Sequence, residues 1–328
     1  MYDFIAIGDV TTDDFIHLKD ERIQIRDIGE GESELAMPFR EKLPFTESTL
    51  VHGVGNAPNA AVSAATLGLK SALVANVGDD LTGRETIDTL KSKNVDTQFV
   101  SIQTGKKTNY SYVLWVKEDR TILRKHEDFS YTLPDLSKPK WIYFSSINIG
   151  AEEFRESLAT YLEGNPEVKF AFQPGTNEIK LGAEKLRRLY KCSEIYLSNV
   201  EEAGRVLGIE TLGIRELLKR VYELGPKTVV ITDGPKGAYG YDGEDIWFVT
   251  PYPDPKPPLE RTGAGDAFSS TVAVALALGN NLETALKWGA VNSMSVVQEI
   301  GAQKGLLTVE KIEGYLKSAP VTFTVKKL

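Results

Sequence analysis

The chain reads as an α/β protein with a mainly parallel central sheet, helices on both faces of it, and a small β-sheet lid at one side. Two observations predict this. Short apolar runs of strand length alternate with helical stretches along most of the 328 residues. Two segments, near 12–50 and 100–125, break the alternation and carry hairpin-like patterns instead.

The elements follow in order. "YDFIAIGDV" is an apolar run ending on Gly8 and Asp9, and reads as a buried first strand. Residues 19–50 are charged and mixed, without helical period, and fit strands and loops outside the main core. "APNAAVSAATLGL", from Ala57 to Leu69, is Ala-rich with apolar spacing and a glycine stop, so it predicts a helix. "SALVANVG" is the next strand; the polar turn "DDLTG" then leads into an amphipathic helix running to about Lys93. "KTNYSYVLWVKEDRTILRK" alternates and contains the acidic turn "KEDR", a hairpin signal. Four further strands, "WIYFSSI", "VKFAFQP", "EIYLSNV" and "KTVVITDG", are separated by helical patterns over 152–164, 182–191, 200–207 and 213–224. "PYPDPKPP", 251–258, is a rigid extended lead-in to the next motif. No internal repeat or low-complexity linker divides the chain, which predicts one domain over 1–328 with the two lid segments inserted in it.

Composition narrows the function. The chain is 41% hydrophobic and 26% charged, ample for a packed core. A net charge of −8 argues against nucleic acid as the main partner, while a local cluster of donors still allows a phosphorylated small molecule. One cysteine, Cys192, permits neither an intrachain disulfide nor a cysteine zinc cluster. The opening "MYDFIAIGDVTTDDF" has acids where a signal peptide needs bases, and the apolar run "VAVALALG" is far below the roughly 18 residues of a membrane span. The expectation is a cytoplasmic protein without nucleic-acid or membrane partners.

The most informative stretch is "LERTGAGDAFSSTVAVALALG", Leu259 to Gly279. Small residues at the mouth of a helix let an anion approach unpaired N–H groups at the positive end of the helix dipole. Asp266 in that place has two readings. It is a helix N-cap, or it is a general base that takes a proton from a hydroxyl attacking a phosphoryl group.

Four motifs bear on that choice. "ERTGAGDAF" resembles the C-terminal signature of the ribokinase-like (PfkB-type) carbohydrate and nucleoside kinases, and "VGNAPNAAVSAATLG" with "VGDDLTG" resembles their N-terminal signature. "LSNVEEAG" and "VITDGPKGAY" resemble two segments lying between. The matches keep the family's order over nearly the whole chain. The resemblance implies a three-layer α/β/α ribokinase-like fold with a lid, and ATP-dependent phosphorylation of a hydroxyl on a sugar, or alternatively a nucleoside.

By matching position, Asp266 would be the base, and Gly263, Ala264 and Gly265 would supply anion-hole amides. Asn199 and Glu202 would order Mg²⁺ near the ATP phosphates, Glu202 through water. Thr232, Gly234 and Gly237 would line the nucleotide site, with Asn292 beside the adenine. Asp13, Gly55 and Asn59 would contact substrate; Asp14 competes with Asp13 for that role. Plainer readings stand beside these: Asn59 as a helix cap, Glu202 as a first-turn acid, Gly234 and Gly237 as turn glycines.

The chain departs from the family pattern at three points. Val54 replaces the first glycine of a pair, although Gly53 stands one position earlier. Glu260 replaces an aspartate near which some members bind a monovalent cation. Gln173 replaces the aspartate of an Asp-Pro-Asn strand end. Two decoys fail: "GVGNAP" has Pro58 where a dinucleotide fingerprint needs a small residue, and "TGKKT" lacks the upstream glycine of a P-loop. His17, His52 and His126 are too scattered for a metal site.

A nucleoside substrate would find stacking partners in Tyr110, Tyr112 and Trp115, which otherwise serve as lid core or a dimer face. A catalytically silent nucleotide- or sugar-binding regulator is the alternative from another class. A homodimer through the exposed edge of the lid is also expected.

Overall fold

The computed structural model describes residues 1–29, 32–116, 119–209, 212–259 and 261–328. Strands in chain order are β1 (Phe4–Ile7), β2 (Thr11–His17), β3 (Gln24–Gly29), β4 (Glu32–Ala36), β5 (Glu47–Val54), β6 (Ser71–Gly78), β7 (Val95–Asp96), β8 (Val100–Gln103), β9 (Asn109–Val116), β10 (Asp119–Lys125), β11 (Trp141–Phe144), β12 (Lys169–Phe172), β13 (Ile195–Asn199), β14 (Val229–Thr232), β15 (Ala238–Tyr241), β16 (Ile246–Val249) and β17 (Val325–Lys327). Helices are α1 (Asn56–Thr66), α2 (Leu81–Ser92), α3 (Glu152–Gly164), α4 (Thr176–Leu181), α5 (Arg187–Cys192), α6 (Val200–Leu207), α7 (Ile214–Tyr222), α8 (Ala264–Ala277), α9 (Leu282–Val296) and α10 (Val309–Lys317).

The central sheet runs β7-β6-β1-β11-β12-β13-β14 with parallel pairing, then turns antiparallel through β15, β16 and β17. Its inner strands are largely apolar because alternate side chains enter two different cores. Phe4 and Ala6 join the core built with α1, α8 and α9, whereas Ile5 and Ile7 join the core built with α3, α5, α6 and α7. That is the expected three-layer α/β/α arrangement.

The lid sheet has the order β10-β9-β2-β5, and β3 and β4 form a separate two-stranded hairpin. Strand β2 pairs parallel with β9, Thr12 opposite Tyr110, although the two lie in the two different inserted segments. Two expectations need correcting. Val100–Gln103 pairs with β6 of the central sheet, Ala75 opposite Val100, so the second lid segment begins at β9. The helix expected over 182–191 forms only from Arg187, as α5; a separate short helix, α4, precedes that range and is closed by Gly182, at φ 83. Lys117 and Glu118, in the expected "KEDR" turn, lie outside the described residues.

The chain leaving the lid is tied back to the body just beyond β1. The Tyr131 hydroxyl donates to Asp9 Oδ1 at 2.5 Å and accepts from the Asn148 N–H at 3.3 Å, and the Asp9 N–H donates to the Ser146 carbonyl at 2.8 Å. Behind them Arg155 and Glu178 form a buried ion pair at 2.6 Å, and the same guanidinium donates to the Ile147 and Asn148 carbonyls. Burial raises the pKa of Asp9 to about 7, against the Tyr131 hydrogen bond.

Candidate active site

Helix α8 starts abruptly. Gly263 is its N-cap in the left-handed region, at φ 80, with no side chain capping the helix. A Cβ at Gly263 would overlap that of Ala302, so only glycine fits. The first-turn N–H groups of an α-helix lack intrahelical acceptors. Here the Ala264 N–H makes only a long 3.4 Å bond back to Arg261, and Gly265 is exposed.

Asp266 is in the first turn, three residues past the N-cap, so its reading as the cap is overturned. Its carboxylate points across to α1 and β12. Asn56 Nδ2 donates to Oδ1 at 2.9 Å, Asn59 Nδ2 to Oδ2 at 2.8 Å, and Gln173 Nε2 to Oδ1 at 3.3 Å. Burial raises the Asp266 pKa, and the three amides, Asn59 most, pull it back down. The arrangement holds an oriented carboxylate that can accept a proton.

These amides have supports of their own. Gln173 accepts a short hydrogen bond from the Tyr143 hydroxyl. Asn59 is the fourth residue of α1, whose N-cap is Gly55, so it is not the helix cap. Asn59 Oδ1 accepts from Gln303 Nε2 at 2.8 Å; that nitrogen also donates to the Gly53 carbonyl at 2.8 Å, and Gln303 Oε1 accepts from Lys93 Nζ at 2.5 Å. Gly53 is at φ 72, in the left-handed region, and Val54, which replaces the family glycine, is buried. Gly55 is at φ 122, where a Cβ would come within 2.9 Å of the Asp9 carbonyl.

Strand alternation separates Asp13 from Asp14. Asp14 accepts a short bond from Ser48 and another at 3.3 Å from Tyr110 on one face of the lid. Asp13 is on the other face, opposite Val51, and Val51 borders Gly301 of the loop whose Ala302 abuts Gly263. So the face of the lid that carries Asp13 is turned toward the start of α8.

On the other side of α8's N-terminus lies a cleft of about 500 Å³. Thr232, Gly234 and Gly237 line it together with Arg261, Ala264, Gly265 and Met294, which makes it continuous with the helix start. Asn292 is not in the lining. It is fully buried, donating to Thr271 Oγ1 at 2.7 Å and accepting from the Leu307 N–H at 2.9 Å, while the next residue, Ser293, lines the cleft.

Asn199 and Glu202 form a reciprocal capping box on α6, at 2.8 and 3.1 Å, with Glu202 in the first turn. Burial raises the Glu202 pKa, and the Asp266 charge adds to the rise. The Glu202 carboxylate, an oxygen donor, suits a hard divalent cation held through water. Glu260, the expected monovalent-cation position, lies outside the described residues.

The sequence pointed to Asp266, Gly263, Gly55 and Asn59, but not to Asn56, Lys93 or Gln303. Asn56 carries a signal in its place three residues before Asn59, on the same helix face. Lys93 and Gln303 carry none, since only the folded chain brings them to Asn59.

Comparison with known proteins identifies the family and fold. A profile of the pfkB family carbohydrate kinases matches residues 32–309. The chain is 27% identical over 268 residues to a ribokinase of Bacillus subtilis, covering 80% of this chain and 87% of that one. It is 24% identical over 303 residues to a 5-dehydro-2-deoxygluconokinase of Halalkalibacterium halodurans, covering 87% and 90%, and 24% identical over 321 residues to a nucleoside kinase of Methanothermobacter thermautotrophicus, covering 93% and 92%. In fold it is similar to Arabidopsis thaliana ribokinase complexed with ribose and ATP, with a TM-score of 0.78 at 18% identity over 96% of this chain and 98% of that one.

Proposed function

Since the chain belongs to the pfkB family of carbohydrate kinases, we propose that it transfers the γ-phosphoryl group of ATP to a hydroxyl of a small sugar or sugar-like acceptor, with Asp266 as general base. The observation that carries this reading is the three-amide grip on the Asp266 carboxylate at an uncapped helix start.

The acceptor lies against the Asp13 face of the lid, where a carboxylate accepts from sugar hydroxyls. Asp266 takes the proton of the attacking hydroxyl. The N–H groups of Gly263, Ala264 and Gly265 face the charge that develops on the phosphoryl oxygens. ATP lies in the cleft lined by Thr232, Gly234 and Gly237. Mg²⁺, when bound with the nucleotide, neutralises phosphate charge, and Glu202, oriented by Asn199, would hold it through water. Closure of the lid would keep bulk water from the phosphoryl group. A cytoplasmic setting is part of the same proposal; among the described residues no helix is long and apolar enough to cross a membrane.

The aromatic residues favour the sugar reading over the nucleoside one. Tyr110 and Tyr112 pack together at 5.1 Å on the face opposite Asp13, and Trp115, on Asp13's face, is buried and stacked on His17 at 4.2 Å. The outer face presents Leu50, Tyr112 and Leu123, about half exposed, and suits the lid of a second copy.

The test is ADP release with Mg·ATP over a panel of sugars and nucleosides, beside Asp266→Asn. Turnover of a sugar with a loss of about 10²–10⁴-fold in the variant, and ATP binding unchanged, is the expected result. Turnover of nucleosides alone would move the substrate class. ATP binding without turnover across the panel would favour the silent regulator.

A further inference from the structure

Asp266 is useful only if the groups around it present donors. Asn59 has one side-chain oxygen and one nitrogen, nearly equal in shape, and reversing it would aim a carbonyl at the carboxylate. Its orientation therefore needs a cause. The cause lies one residue further back, in a buried chain that runs away from the site.

A backbone carbonyl only accepts hydrogen bonds, and an ammonium only donates them. The Gly53 carbonyl therefore calls for the nitrogen of the Gln303 side chain, and Lys93 Nζ calls for its oxygen; both contacts are made, at 2.8 and 2.5 Å. With Gln303 so fixed, its second N–H meets Asn59 at 2.8 Å, and the atom of Asn59 that can accept it is Oδ1. Asn59 Nδ2 is then the atom left to face Asp266 Oδ2, at 2.8 Å. Gln303 and Asn59 are 6% and 4% exposed, so water has little access to substitute for a partner. Each link is polar in one sense only, from a lysine and a carbonyl at one end to a carboxylate at the other.

We infer that Gln303 is a positioning residue for Asp266: held by Lys93 and the Gly53 carbonyl, it fixes Asn59 so that a donor faces the carboxylate. Gln303 reaches neither the carboxylate nor the nucleotide cleft and acts through Asn59. Gly53 is the penultimate residue of the lid strand β5, so the same glutamine joins the lid's root, α1 and the end of α2. The inference deepens the reading of Asp266 as the base, and its test is independent of turnover.

The experiment is a carbon-13 NMR titration of the intact protein labelled at aspartate side chains, with the Asp266 signal identified by its loss in Asp266→Asn. Glu202 and Tyr143, the other ionisable groups whose charge reaches Asp266, stay unchanged in every variant compared. Gln303→Met removes the donor without adding charge. Gln303→Glu reverses its polarity and places the new carboxylate beside Lys93, which compensates it. Loss of one hydrogen bond to a charged group is expected to raise the Asp266 midpoint by about one pH unit or more in Gln303→Glu, and by less in Gln303→Met. Lys93→Arg, which still only donates, leaves the midpoint in place. An unmoved midpoint in whichever glutamine variant folds, by circular dichroism and thermal melting, overturns the inference. If the midpoint moves but Asp266→Asn still turns over an acceptor at the normal rate, the positioning stands and the assignment of Asp266 as base fails.

Discussion

Gln173 shows how finely one side chain sets the chemistry of this site. Its nitrogen is 3.3 Å from the Asp266 carboxylate, where the family pattern has an acid. Gln173→Glu would still accept from Tyr143 but would bring a second negative charge to that contact. Two carboxylates so close share a proton. The acid limb of the activity profile should then move up by about one pH unit or more, read from initial rates between pH 5 and 9; an unmoved limb would show that Gln173 does not sense Asp266. Gly263 gives a second residue-scale expectation. Gly263→Ala forces a side chain into the left-handed region and against Ala302, so stability should fall by at least about 1–2 kcal/mol, measured by urea unfolding, and rate should fall more than ATP affinity because the N–H groups of α8 move.

Between elements, the tie at the exit from the lid is the part whose strength depends on pH. Tyr131, Glu178, Arg155 and, from the lid strand β10, Arg124 all influence Asp9. Folded Asp9 keeps its proton to about pH 7, whereas an exposed aspartate loses it near pH 4. Between those values the folded state binds more protons than the unfolded state, so this group lowers stability as pH rises through that window. Asp9→Asn should remove the slope: its melting temperature should gain on the parent from pH 5 to pH 8, and a constant offset would exclude Asp9 as the source. The sequence made some of this organisation legible. The order of strands and helices was readable through β14 and again at α8, where buried strands are largely apolar runs and the amphipathic helices periodic, whereas the antiparallel edge β15–β17 and helices α9 and α10 were not read. The site was readable wherever a glycine or acid sits in a local pattern, as at Gly263 and Asp266. What escaped were choices made by distant contacts: β8 joining β6, the break at Gly182, the buried place of Asn292, and the Lys93–Gln303 pair. None of these has a local cause in the residues beside it.

At the scale of the whole molecule, the lid offers a partner an outer surface as well as covering acceptor on its inner one. Leu50, Tyr112 and Leu123 share the outer face and are 47%, 46% and 53% exposed. A dimer through that face is expected, and Leu50→Lys should shift it toward monomer in light scattering at micromolar concentration; a parent protein that is already monomeric there would exclude the arrangement. The pairing of β2 with β9 has a further consequence. Thr12 and Tyr110 are neighbours in space but about a hundred residues apart along the chain, and a contact of that span gains nothing until the intervening segment is ordered. The first strand of the lid is therefore synthesised early and must wait, unpaired along that edge, while α1, β6 and α2 fold. Until β9 has been made, that open edge of β2 is a place where the chain can pair with the wrong neighbour.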